Sequence, residues 1–333
     1  MDAKEFRDQV GEVIKNEQVA EDGQEPTFTY SLTNQQRFNQ IIGTLKVIGR
    51  AEPQDKLRLV AGLRGMREHE DDENSGRKVA VVGEGINDID AFRAANVSFA
   101  VADGASYARN NASMVLQTND FDSCMRAVMW GRNVYLNVQR FLQFQMTCNF
   151  SVLIVVIVSY CTMTESCLNA VQLIYINLIM DILGALALAS TRPQTDIAKY
   201  AAGQEKLMTP FMYRQIFGVT AFQILIMMVI MFGGKSIFNL SYSNSTMTID
   251  DDVYGKSKKL HFTLIWNTFV FLQVFNLINC RDVSATKTHG FSGLLRNTLT
   301  WIIILIIAAV QIVSCFTFIG VPIFEASTDV GTR

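Results

Sequence analysis

No two of the six cysteines in this chain stand as Cys-x-x-Cys, which excludes the zinc ribbons and dithiol redox motifs built on that spacing. Charge of either sign is not in surplus either. Across 333 residues, 29 Lys and Arg face 31 Asp and Glu, a net charge of −2, so no attraction to nucleic acid and no nucleic-acid partner is expected. Met1 is followed by Asp2, Lys4, Glu5 and Arg7, which reads as polar and helical rather than as a secretory leader. The first apolar span is therefore expected to target the chain to the membrane itself. Proline is missing from Phe121 to Met163, and Gly131 is the only glycine there. Nothing in that stretch breaks a helix, and one continuous helix is expected.

Charge disappears altogether from Phe141 to Thr164, over more than the ~20 residues that cross a bilayer as a helix. Leu168–Thr191, Gln215–Gly234, Phe262–Cys280 and Asn297–Phe324 are further candidate spans. In lipid each can satisfy its backbone only as a helix. Arg192, Lys199, Lys206 and Arg214 lie in one gap, and Arg281, Lys287 and Arg296 in another. The positive-inside rule puts both gaps, and the N-terminal part, in the cytosol. Loop 235–261 then faces the opposite side, in agreement with the sequons at Asn239 and Asn244, although Lys256, Lys258 and Lys259 argue the other way. Most cysteines sit in or beside apolar helices and read as packing residues. Cys161 and Cys167 flank one short non-cytosolic turn, where a disulfide remains open.

The N-terminal third has a different pattern. Residues 1–40 read as a polar helix and linker, and Leu45–Gly49 as a candidate strand. Pro53 opens a helix at the first-turn position proline tolerates, with Lys56, Leu59, Val60 and Leu63 at helical spacing. The acidic run Glu68–Glu73 reads as a solvated loop. Strand 79–82, helix 88–95, strand 97–101, helix 105–112 and strand 113–117 then alternate, which predicts a parallel sheet with helices on its faces. Gly83 and Gly85 turn the chain after the first of these strands, and Asn87-Asp88 start the next helix. Ligands bind α/β folds at such carboxyl ends, and Glu84 with Asp88 can hold a hard cation such as Mg²⁺. A phosphate–Mg²⁺ turn joined to a membrane bundle points to ATP-driven transport.

Val82-Gly-Glu-Gly-Ile-Asn-Asp88 resembles the hinge motif Thr-Gly-Asp-Gly-Thr-Asn-Asp of P-type ATPases. Phe99–Ala105 and Ala108–Leu116 resemble the segments C-terminal to that hinge. Ala127–Tyr135, Phe141-Leu-Gln-Phe-Gln145 and Asn177-Leu-Ile-Met-Asp181 resemble the plasma-membrane type calcium pumps in particular. The similarity runs from about Lys4 to about Val313. It implies a partial haloacid-dehalogenase-like α/β phosphorylation domain over 1–120, a stalk helix over 121–140, an all-α transmembrane bundle of five helices over 141–324 and a tail over 325–333.

The resemblance also assigns residues. Lys56, in Ala51-Glu-Pro-Gln-Asp-Lys56, matches a lysine that contacts the phosphoryl group; otherwise it reads as an exposed helix lysine. Glu84 and Asp88 match the acidic residues of the Mg²⁺ site, and Asn87 the amide beside them. Glu84 stands where the family has aspartate, and Val82 and Ile86 where it has hydroxyl residues. In the membrane, Asp181 is an ionisable group inside a span, which is functional by default. Asn177 is four residues earlier and is expected on the same face. With Asn149 and Gln273 these side chains offer oxygen ligands that suit Ca²⁺; interhelical hydrogen bonding is the alternative for Asn177 with Asp181 and for Gln273.

The family's phosphorylated aspartate lies in Asp-Lys-Thr-Gly-Thr, and no such segment occurs here. ATP is thus implied for the complete pump, with Mg²⁺ at Glu84 and Asp88, where glutamate in place of aspartate puts tight binding in question, and Ca²⁺ as the transported ion. The expected partners are the lipid bilayer, Ca²⁺, and an N-terminal pump portion or other membrane subunits. The other reading is a pump-derived, catalytically inactive membrane subunit with a structural or regulatory role.

Overall fold

The computed structural model describes residues 1–18, 27–66, 77–163, 165–190, 207–239, 252–281 and 298–316. The acidic run 68–73, Asn244, residues 191–206 and 282–297, and everything after Phe316 lie outside the described residues. The chain divides into two compact units, one containing Met1–Met129 and the other beginning at Trp130.

The first unit begins with α1 (Ala3–Val10), capped by Asp2, whose carboxylate accepts the Lys4 N–H. Ala3, Phe6 and Val10 recur at helical spacing and are buried. Gly11 ends the helix at φ +80°, a conformation few other residues adopt. An antiparallel hairpin comes next, β1 (Val13–Gln18) with β2 (Thr27–Leu32). Then come α2 (Gln35–Ile42), capped by Asn34, and α3 (Pro53–Gly65), with Pro53 in its first turn. Phe6, Val10, Leu32, Phe38 and Ala61 make one core, with Phe6 edge-on to Phe38 at 6.3 Å. Gly62 permits it: a Cβ there would lie 2.6 Å from the Phe38 ring and 2.7 Å from Leu32.

The parallel sheet is present, in the order β3 (Ala80–Gly83), β4 (Val97–Ala100), β5 (Met114–Val115). Between the strands run α4 (Ile89–Ala94) and α5 (Ser106–Asn111). The central strand β4 buries Ser98, Phe99 and Ala100, as a strand paired on both edges does. Two expectations fail. Residues 1–40 hold the β1–β2 hairpin rather than a linker. Leu45–Gly49 is not a strand, because its only pairing is a single bridge from Gly49 to Asp2.

The unbroken helix expected from Phe121 is α6 (Phe121–Met163). In the second unit it is succeeded by α7 (Ala170–Ile174), a π-helical turn over Tyr175–Met180, α8 (Asp181–Ala189), α9 (Pro210–Ile237), α10 (Asp252–Asn279) and α11 (Thr298–Phe316). Counting Ala170–Ala189 as one, five helices among the described residues are long and apolar enough to cross a membrane. Their shared core includes Phe144, Tyr175, Met180, Trp266 and Phe269, with Tyr175 edge-on to Trp266 at 5.9 Å. All six cysteines are free thiols, Cys161 exposed and Cys167 buried. Cys167 is held by the turn: its N–H donates to Ser159 Oγ at 2.8 Å, and that hydroxyl donates to the Glu165 carbonyl at 2.9 Å.

Candidate functional site

Two places among the described residues bring a buried carboxylate against polar side chains from another helix. The first is the turn after β3. Ile86–Asp88 form a single 3₁₀ turn before α4, and this bends Asp88 back under the strand end. One Asp88 oxygen, Oδ2, accepts the backbone N–H groups of Glu84 (3.0 Å) and Gly85 (3.2 Å). The other, Oδ1, accepts Lys56 Nζ from α3. Gly83 makes the approach possible, since a Cβ there would stand 2.5 Å from Asp88 Oδ2. The turn is pinned from the far side by Val101 N–H on the Gly83 carbonyl (3.2 Å) and Ala105 N–H on the Glu84 carbonyl (2.8 Å).

Burial pushes the Asp88 carboxyl up, but Lys56 and the two backbone N–H groups outweigh it and hold it below the ordinary carboxylate value. Asp88 is buried, whereas Lys56, Glu84 and Asn87 are exposed. The Lys56 ammonium therefore reaches a strand's carboxyl end while remaining open to a ligand from solvent.

The second place is in the bundle. Along 141–163, 170–189, 210–237, 258–279 and 298–315, Asp181 is the only acidic residue. It is 8% exposed. Its Oδ2 accepts Gln145 Nε2 of α6 at 2.7 Å. Asp181 Oδ1 and Gln145 Oε1 are both buried with no hydrogen-bond partner among the described residues. Gly184, one turn after Asp181, lets α8 approach α6: a Cβ there would lie 2.9 Å from Phe144 Cε1.

Asn149 and Asn177 do not join Asp181; both are exposed. Asn177 is exposed while Asp181, four residues on, is buried, and a π-helical turn over Tyr175–Met180 lies between. Asn149 is likewise not the partner that Asp181 finds. Gln273 is fully buried within a different set of bonds. It donates to Gln223 Oε1 (3.1 Å), accepts from Asn276 Nδ2 (3.2 Å), and Gln223 also accepts from Ser151 Oγ (2.7 Å). This ladder ties α6, α9 and α10 together.

Residues 165–328 match the family described as "Cation transporting ATPase, C-terminus", and residues 70–128 match "haloacid dehalogenase-like hydrolase". The rice (Oryza sativa subsp. japonica) "Probable calcium-transporting ATPase 9, plasma membrane-type" is 35% identical over 89% of this chain and 26% of its own length. "Calcium-transporting ATPase 4, plasma membrane-type" of Arabidopsis thaliana is 36% identical over 79% of this chain and 24% of its own. "Plasma membrane calcium-transporting ATPase 1" of Gallus gallus is 34% identical over 84% and 22%. The chain corresponds to the C-terminal region of a P-type cation ATPase. It is related to the plasma-membrane calcium ATPases and is an integral, multi-pass membrane protein. It spans about a quarter of the length of the relatives it matches.

Within this ATPase region, the β3 turn can be tested for Mg²⁺. Asp88 is engaged on both oxygens, and the Glu84 carboxylate is exposed with no partner among the described residues. No group of three or more His, Cys, Asp or Glu side chains is placed to hold a metal among the described residues. Mg²⁺ is often held by only one or two carboxylates, with phosphate oxygens and water filling the rest of its shell. The residues fit a Mg²⁺ that arrives with a phosphate; they do not form a closed metal cage. Gln145 is the residue that sequence reasoning passed over. The signal was present: Gln145 is a polar amide inside an apolar run, one helical turn before Asn149.

Proposed function

We propose that this chain is the C-terminal portion of an ATP-driven calcium-transporting ATPase, with residues 1–120 forming part of its cytosolic phosphorylation domain. Residues 121–140 serve as its stalk. Lys56 lowers the charge that accumulates on the phosphoryl oxygens during transfer. Asp88 orients that lysine while anchored to the Glu84 and Gly85 N–H groups. Asn87, exposed beside it, offers an amide to the same group. Mg²⁺, held through Glu84 and Asp88, supplies further neutralisation when bound. In the bundle Asp181 carries the transported Ca²⁺; Asn149, Asn177 and Gln273, the further oxygen ligands expected from the sequence, stand apart from it in this structure.

The observation that carries this reading is Asp181, the one acidic residue in its span, buried with an unpartnered oxygen. A carboxylate in that position is unfavourable by ~2.5–3.5 kcal/mol on insertion scales, which points to a function that keeps it there. Alone, residues 1–333 contain no Asp-Lys-Thr-Gly-Thr segment and so no nucleophile to receive phosphate. The test is to incubate the purified chain with labelled ATP and Ca²⁺. No hydroxylamine-sensitive phosphate is expected on it, and finding such phosphate overturns the assignment of partial function.

A second reading has its own support. Val82 and Ile86 are exposed apolar residues beside the Lys56–Asp88 pair, at 37% and 64%. Apolar groups there offer no hydrogen bonds to a phosphate. That favours a pump-derived subunit without catalysis. Phosphate-dependent protection of Lys56 from amine labelling in the purified chain is expected only if the turn still receives a phosphate.

A further inference from the structure

The hydrogen bond between Gln145 and Asp181 leaves one acceptor oxygen unsatisfied on each partner. Gln145 Nε2 donates to Asp181 Oδ2 at 2.7 Å, while Gln145 Oε1 and Asp181 Oδ1 are buried and unpartnered. A buried acceptor without a donor is unfavourable by about 1–3 kcal/mol, and two of them flank one bond. A hydroxyl or amide partner would have relieved both, and none of the described residues supplies one. The pair is also not a chance contact between loose side chains. Gln145 and Asp181 sit on α6 and α8, whose approach is set by Gly184 against Phe144.

Two buried oxygens without a donor, one of them on a carboxyl group, are satisfied by a cation. From these positions we infer that Gln145 is a direct ligand of the transported cation as well as the partner of Asp181. Its carboxamide nitrogen holds Asp181 Oδ2, and its carbonyl oxygen, with Asp181 Oδ1, faces the ion. The set is all oxygen and carries one negative charge, which suits a hard divalent cation such as Ca²⁺ and not a thiolate-seeking metal. The inference rests on the reading of Asp181 as the cation-bearing carboxylate and adds a ligand to it.

A merely positioning role and a ligand role separate cleanly in the choice of substitution. Gln145→Leu removes both the donor and the oxygen. Gln145→Glu removes the donor and keeps the oxygen, adding charge. If Gln145 only orients Asp181, both variants are defective, because ionised glutamate has no proton to donate. If Gln145 is a ligand, Gln145→Glu retains cation binding and Gln145→Leu does not.

The experiment is equilibrium binding of radiolabelled Ca²⁺ to residues 1–333 reconstituted in lipid vesicles. Circular dichroism of each variant confirms that the helices persist. The parent chain is expected to bind Ca²⁺ saturably, Gln145→Leu about tenfold or more weakly, and Gln145→Glu at least as tightly as the parent. Asp181→Asn is expected to abolish binding. Loss of binding in Asp181→Asn with parental affinity in Gln145→Leu, or equal loss in the leucine and glutamate variants, overturns the ligand role alone. No saturable binding to the parent, or binding unchanged by Asp181→Asn, overturns the reading of Asp181 as well.

Discussion

Replacing Lys56 by methionine isolates the electrostatics of the β3 turn. The substitution keeps most of the length of the unbranched side chain and removes its charge. Asp88, with a side chain 5% exposed, loses the partner of Oδ1 and keeps the two backbone N–H groups on Oδ2. Breaking a fully buried pair is destabilising by about 3–5 kcal/mol, and an exposed pair contributes about 0–1 kcal/mol. The Lys56 side chain is 48% exposed and the N–H groups remain, so the loss falls between those limits, at about 1–2 kcal/mol. That is roughly 5–30-fold in a local opening equilibrium. Hydrogen exchange of the Glu84 and Gly85 amides, read by mass spectrometry on the reconstituted chain, should accelerate by that factor.

The pH dependence gives the sign. The Asp88 carboxyl in the folded chain lies below its ordinary value. Its stabilisation is therefore complete above about pH 3.9 and is lost as pH falls through the folded value. Removing Lys56 takes away part of what opposes burial, so in Lys56→Met the carboxyl rises and amide protection is lost at higher pH. Parental exchange in Lys56→Met, or an acceleration that persists unchanged in an Asp88→Asn background, would refute the pairing.

Two further outcomes concern the bundle. Gly184→Val places methyl groups against Phe144, where even a Cβ has only 2.9 Å. It should lower stability in denaturant titrations by about 1–3 kcal/mol and weaken Ca²⁺ binding by separating Gln145 from Asp181. In a Ser151→Ala, Gln223→Leu cycle the coupling should be about 0.6 kcal/mol and no more than about 1.7, as for other hydrogen bonds between membrane helices; zero coupling removes the ladder as a tie between α6 and α9.

What the sequence made legible was what periodicity and punctuation encode. The strands near 79–82 and 97–101 are short apolar runs closed by turns, and α6 is a long stretch without a breaker; both are found within a residue or two. The β1–β2 hairpin was not legible. Ile14, Lys15 and Asn16 are all exposed, so no alternation marks β1 as a strand. Leu45–Gly49 has the composition of a strand but only Asp2 to pair with. In the bundle, Asp181 declared itself by its charge. Its partner did not, because Gln145 lies on a different helix, 36 residues earlier in the chain. Hydrophobic patterning carries no signal for i→i+5 bonding, and the Gln145–Asp181 contact depends on a close approach set by Gly184, which spacing along one helix cannot express.

The central claim is that Asp181 bears the transported ion. It is tested most directly by replacing the corresponding C-terminal region of the rice relative with this chain and measuring Ca²⁺-dependent phosphorylation from ATP in membranes. With Asp181 intact the chimera should phosphorylate in a Ca²⁺-dependent way. With Asp181→Asn that dependence should vanish while the protein still reaches the membrane at parental levels. A chimera carrying Asp181→Asn that phosphorylates at parental Ca²⁺ concentrations would contradict the account and leave Asp181 as a packing residue bonded to Gln145.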